Sequence, residues 1–146
     1  MKKTLCLILL LVLGTGLVLG SPNISVVADS EESKLQYASA QHEIISILLQ
    51  EGQFDAVLSE FNKILVLNLA GENERFVVEE VWQIVDRLVA AEQFSLAHKM
   101  ITAALQKLKR PDNEFALQML KGKVYKEQGL LKEALEVYRS AQNPAR

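Results

Sequence analysis

Tyr125-Lys126-Glu127-Gln128-Gly129-Leu130-Leu131-Lys132-Glu133-Ala134 is the stretch on which the reading of the fold turns. A helix-forming run stops at Gly129, a residue free to take positive φ, and a second run opens with the small Ala134. Two earlier segments share the layout: Glu51-Gly52-Gln53-Phe54-Asp55-Ala56-Val57 and Ala91-Glu92-Gln93-Phe94-Ser95-Leu96-Ala97. Val57 and Ala97 are 40 residues apart, and Ala97 and Ala134 are 37 apart. A repeated unit of this size cannot bury its apolar face alone, so its neighbours must stack against it. The spacing therefore predicts a binding surface rather than a chemical centre.

Apolar residues between the turns recur at threes and fours, the period of a helix. Tyr37, Ile44, Ile45, Ile47, Leu48 and Leu49 mark the first helix, and Phe54, Val57, Leu58, Phe61, Ile64 and Leu65 its partner. Ala70-Gly71-Glu72-Asn73 interrupts the pattern before a second pair, which carries Phe76, Val77, Val81, Ile84, Val85 and Leu88, then Phe94, Ala97, Ile101, Ala104 and Leu105. Pro111, with Asp112 or Asn113 as the next N-cap, separates this pair from a third. The third is marked by Phe115, Leu117, Leu120, Val124 and Tyr125, then by Leu131, Ala134, Leu135, Tyr138 and Ala141. No segment sustains a period of two, so no sheet is expected.

In the third pair Gly122, Tyr125, Gly129, Ala134, Tyr138 and Ala141 stand at the spacings of the tetratricopeptide repeat, which the chain resembles from about residue 38 to residue 146. Gly122 allows close approach of the paired helix, and Tyr125 and Tyr138 fill the gaps beside the small residues. The second pair keeps Phe94, Ala97 and Ala104 but has Val85 and Glu92 where the third has Gly122 and Gly129. The first keeps Gly52, Phe54 and Phe61 and places Val57 and Ile64 where small residues are expected. The resemblance implies an all-α solenoid of about three antiparallel helix pairs, with the first helices lining a concave groove that binds peptides or protein segments.

That groove would present Ser39, His42 and Ser46, then Glu79, Trp82 and Asp86, and finally Ala116, Met119, Lys123 and Lys126. Trp82 is the only tryptophan, and an aromatic anchor with charged flanks is the usual composition of a binding hot spot. The alternative is a Trp82 packed between units. Lys123 and Lys126 are a candidate pair for a carboxylate, against two solvated lysines. The basic and Asn residues with which some members of the family clamp a C-terminal carboxylate are missing from the first pair.

The N-terminus reads as an export signal. Lys2 and Lys3 precede Leu5-Cys6-Leu7-Ile8-Leu9-Leu10-Leu11-Val12-Leu13, and small residues follow through Gly20. Cleavage fits after Gly20, giving a signal over 1–20, or after Ala28; residues 21–37 read as a flexible lead-in to a helical domain over 38–146. An uncleaved anchor is the alternative, although the run from Leu5 to Gly20 is 16 residues long against the roughly 20 that a spanning helix needs. The expectation is an exported protein, periplasmic or secreted, or a membrane-anchored one if the signal is retained. Cys6 is the only cysteine and leaves with the signal, so the mature chain would carry no thiol and no disulfide.

Charge is divided along the chain. Residues 29–92 hold 13 acids and 4 bases, whereas residues 93–146 hold 5 acids and 10 bases. Such a dipole could orient a partner or favour head-to-tail contact between copies. The basic half has no interleaved aromatics, so nucleic acid is not expected as a partner.

Chemistry is sparse. The two histidines, His42 and His98, fall outside any metal-ligand spacing, and His98 is expected on the outer face. Glu79 and Glu80 are adjacent, which splits them across a helix surface rather than converging them on a substrate. We therefore expect no enzyme, metal or cofactor. The leading reading is a protein- or peptide-binding module anchored by Trp82 and Met119, with Glu79, Asp86, Lys123 and Lys126 setting register. The other is a self-associating structural component, joined as a homo-oligomer through Leu135 and Tyr138 on an uncapped C-terminal helix.

Overall fold

Six α-helices make up residues 30–142, the part of the chain described by this computed structural model, and no strand occurs among the described residues. They are α1 (Glu31–Gln50), α2 (Phe54–Leu65), α3 (Glu74–Ala90), α4 (Phe94–Leu105), α5 (Pro111–Glu127) and α6 (Leu131–Gln142), with one 3-10 turn at Gly71–Asn73. The expected signal segment, both cleavage points, Cys6 and Arg146 lie outside the described residues. No helix among the described residues is long and apolar enough to cross a membrane.

Two boundaries differ from the sequence reading. The first helix starts at Glu31 instead of after residue 37. Ser30 caps it by accepting from the Ser33 N–H at 3.1 Å, and Glu31 and Glu32 sit in the first turn, where the helix dipole favours negative charge. Pro111 is the first residue of α5, with Arg110 before it, and neither Asp112 nor Asn113 is the cap. A proline's fixed φ suits the first helical position, where its missing N–H costs nothing.

All three hairpin turns have one geometry. Gly52, Glu92 and Gly129 take φ of 71°, 57° and 78°. The residue after each returns its N–H to the helix it has left: Gln53 to Leu48 O at 2.8 Å, Gln93 to Leu88 O at 2.7 Å and Leu130 to Tyr125 O at 2.9 Å. The turn residue itself bonds three residues back, to Leu49, Val89 and Lys126. This is the Schellman arrangement, which satisfies the carbonyls left open at a helix C-terminus. Glu92 adopts it without being glycine because the same two hydrogen bonds hold it there.

Consecutive helices pack as the hairpins α1–α2, α3–α4 and α5–α6. Hairpins meet through α1 with α3, α3 with α5, α2 with α4, and α4 with α5. The first helices α1, α3 and α5 therefore stand in a row. One apolar cluster runs from Ala38 through Phe61, Val81 and Ile101 to Val124. Fully burying each large side chain contributes about 1.5–3 kcal/mol, so this cluster dominates the stability. Within α5–α6 the close approach is at Gly122, where a Cβ would meet the ring of Tyr138. Ile45 with Phe61 and Val85 with Ile101 hold the corresponding positions in the other hairpins, all four buried.

Register between hairpins is set by two carboxylates. Glu31, the first residue of α1, accepts at Oε2 from Ala70 N and Asn73 Nδ2, both at 3.2 Å, just before α3. Glu74, the first residue of α3, accepts at Oε2 from Lys109 N and Arg110 N at 3.3 Å and from Asn113 Nδ2 at 3.2 Å, around the start of α5. Each clasp ties a hairpin to the next. Arg110 adds an ion pair to Glu72 at 2.8 Å.

Apolar surface remains at both ends of the row. Ile44 and Ile47 of α1 are about half exposed, although the sequence stripe counted them with the core. Among the described residues the only first helix beside α1 is α3, so Ala38, Gln41 and Ile45 turn inward and the opposite side faces out. Phe115, Leu131 and Leu135 are exposed in the third hairpin.

Candidate functional site

The row of α1, α3 and α5 collects most of the residues that the sequence marked. On α3 and α5, Lys123 Nζ lies 2.8 Å from Asp86 Oδ1 and 5.3 Å from the centroid of the Trp82 ring. Trp82 is half-buried and packs against the core along one edge, so it serves both the stack and the surface. Beside it an open trough of about 520 Å³ is lined by Val78, Glu79, Trp82, Gln83, Asn113 and Ala116. Arg75 and Glu79, paired at 2.9 Å, stand on its rim. Aromatic body, fixed charges and a concave floor are the elements of a recognition surface.

Not every marked residue joins this group. Lys126 is exposed on the last turn of α5 and makes no ion pair among the described residues. Lys123 is paired with Asp86 at 2.8 Å, whereas Lys126 is not. Met119 is half-buried on α5, and Ser39 is exposed on α1.

Compared with family models, curated proteins and solved structures, the chain matches none of them.

His42 and Ser46 open a second, smaller feature between α1 and α3. A cavity of about 40 Å³ is walled by Ile45, Leu49 and Ile84, with His42, Ser46, Glu80, Gln83 and Arg87 as its polar groups. His42 Nδ1 lies 2.6 Å from Glu80 Oε2, and the Glu80 side chain is 2% exposed. Burial pushes the Glu80 carboxyl above the usual carboxylate range, and the bond to His42 partly offsets this. Glu80 Oε1 has no hydrogen-bond partner among the described residues.

The sequence reading split Glu79 and Glu80 across the helix surface; they do separate, but Glu80 goes into the core while Glu79 stays exposed. The signal was present, because Glu80 falls three residues after Val77 and four before Ile84, inside the apolar stripe of α3. A charge at such a position is seldom buried without a partner or a purpose.

His98 also departs from expectation. It lies in the seam between α4 and α5 rather than on the outer face, stacked on Tyr125 with ring centroids 4.3 Å apart. Its Nε2 is 2.7 Å from Gln128 Oε1, and its buried Nδ1 has no partner among the described residues. Among the described residues no cluster of His, Cys, Asp and Glu has the arrangement to hold a metal ion.

Proposed function

We propose that this chain is an exported, tetratricopeptide-like helical solenoid that binds a protein or peptide segment along the row of α1, α3 and α5. The observation that carries the reading is the meeting of Trp82, Asp86 and Lys123 beside an open trough. Lys123 on Trp82 holds the indole in one orientation, which lowers the entropy lost when a ligand packs on it. The surface pairs Arg75–Glu79, on the rim, and Lys123–Asp86, beside Trp82, contribute register and partner choice more than affinity.

Selection of a random displayed peptide library on the full chain tests this reading. Enriched peptides should bind wild type and lose binding to a Trp82→Ala, Lys123→Glu variant of matched melting temperature. Equal binding to both proteins would move the interface away from the row.

A second reading is supported by a separate observation. Leu131 is 65% and Leu135 48% exposed on α6, where only Ala134 is buried. That face suits contact with another copy of the chain, in a structural or assembly component that a retained N-terminal helix would tether to a membrane. Mass that rises with concentration in light scattering, and returns to the monomer in Leu131→Lys, Leu135→Lys, would favour it.

A further inference from the structure

Two buried glutamates invite comparison. Glu74 Oε2 is surrounded by three donors, as a buried carboxylate should be. Glu80 is more deeply buried, yet His42 serves one of its oxygens and nothing among the described residues serves the other. An ionised carboxylate held this way lacks a donor, and the unused oxygen belongs to a residue that lines a cavity.

The cavity supplies the rest of a receptor. Its volume of about 40 Å³ exceeds the space of roughly 10–15 Å³ that one water-sized group requires, so an ammonium head and its last methylene fit. Ile45, Leu49 and Ile84 offer apolar wall to a methylene stem, while Ser46 adds a hydroxyl that accepts a hydrogen bond. A carboxylate or phosphate would meet the negative charge of Glu80. An uncharged donor would bond the free oxygen without countering its charge.

Arg87 also lines the cavity. It stands seven residues beyond Glu80, about 10 Å along the axis of α3, and its side chain is exposed. It edges the mouth and makes no ion pair among the described residues.

We propose that this cavity receives a primary ammonium group carried by the segment that the row of first helices binds, with Glu80 Oε1 as its acceptor. This rests on the groove reading given above. The ammonium comes from a lysine side chain or from a free α-amino terminus, and both present the same head to Glu80.

The test uses the full chain and n-butylammonium as the probe, with n-butanol as the uncharged control. With only two histidines, the ring resonances of His42 are assigned by comparison with a His42→Gln variant. The expected result is a saturable shift of the His42 ring by butylammonium, with a dissociation constant on the order of 1–10 mM for so small a ligand. Butanol should produce none. Glu80→Gln, shown folded by its melting curve, should weaken the response at least about tenfold. Should that variant not fold, Ser46→Leu closes the cavity from its half-exposed side and is expected to abolish the shift.

No saturable shift, an equal shift with butanol, or a full response in Glu80→Gln would each overturn the proposal. Arg87→Ala removes a like charge from the mouth and should keep or strengthen the response; its loss would also overturn the proposal. Nα-acetyl-lysine amide and glycine amide then separate the two sources of the amine. Peptides that need Trp82 but bind equally well after acetylation of every amine would overturn the ammonium site and leave the groove reading standing. Binding of butylammonium with no peptide selected would uphold the site and remove the groove reading.

Discussion

A Cβ built on Gly122 would stand 2.3 Å from Cε1 of Tyr138, so the tyrosine ring occupies the space that any other residue at this position needs. Replacing Gly122 by alanine should gain up to about 1 kcal/mol of helix propensity and lose more to the displaced ring. The expected net loss is about 1–2 kcal/mol, as for other overpacked contacts. In a Tyr138→Ala background the sign should reverse, and Gly122→Ala should stabilise. Urea unfolding of the four proteins checks this, and an additive pair of effects would separate the two residues.

Glu92 holds φ of 57° in a turn where its two counterparts are glycines. Relief of a left-handed side-chain conformation is worth about 1–2 kcal/mol, against about 0.4–1 kcal/mol for the extra freedom glycine gives the unfolded chain. Glu92→Gly should therefore stabilise by about 0.5–1 kcal/mol and raise Tm by a few degrees. A lower Tm in a thermal melt would contradict the strain.

Glu74 gathers three donors from the following hairpin. Glu74→Ala should cost about 1–3 kcal/mol by leaving buried donors open. The loss should be local first. Hydrogen exchange is expected to speed up at Lys109, Arg110 and the first turn of α5 before the core of α3 changes.

Glu31 should shape the acid limb of stability. The ammonium of Lys34, Asn73 and the Ala70 N–H hold its carboxyl down at about 2, from an ordinary value of 4.5. A carboxyl depressed in the folded state contributes stability above the unfolded value, and that contribution disappears as pH falls from about 4.5 to about 2. Melting temperature should drop through this window in wild type and drop less in Glu31→Gln.

Glu80 should act in the opposite sense. Its folded-state carboxyl is raised by burial, so its contribution favours folding below the unfolded value of 4.5 and is lost as pH rises through the folded one. Glu80→Gln should raise Tm at neutral pH and show a smaller gain at pH 4. A variant less stable than wild type at both pH values would mean that His42 more than compensates for the burial.

Helices and turns were legible because they depend on neighbours in sequence. The halts at Gly52 and Gly129 and the apolar threes and fours are local signals, and Gly122 beside Tyr138 could be read from their spacing around Gly129. The clasps could not. Glu74 meets donors 35 to 39 residues away, and nothing in its neighbourhood distinguishes it from a solvated acid at a helix start. Glu80 lay in between: its place in the apolar stripe was visible, but its tie to His42 required knowing how α1 and α3 align. His98 was misplaced for a related reason, since its partners Tyr125 and Gln128 belong to the next hairpin. Ile44 and Ile47 have the right period for a core and are exposed because α1 has only one first-helix neighbour among the described residues.

The clasps also have a direction. In each, the acceptor belongs to the earlier hairpin and the donors to the later one, so a ribosome delivers Glu31 before Asn73 and Glu74 before Asn113. The first two hairpins thus emerge already bearing the latch for a neighbour not yet synthesised, so the acceptor is in place before its donors are made. A chain permuted to begin at α3 would reverse that order at the first clasp, making its docking wait until the last segment is made.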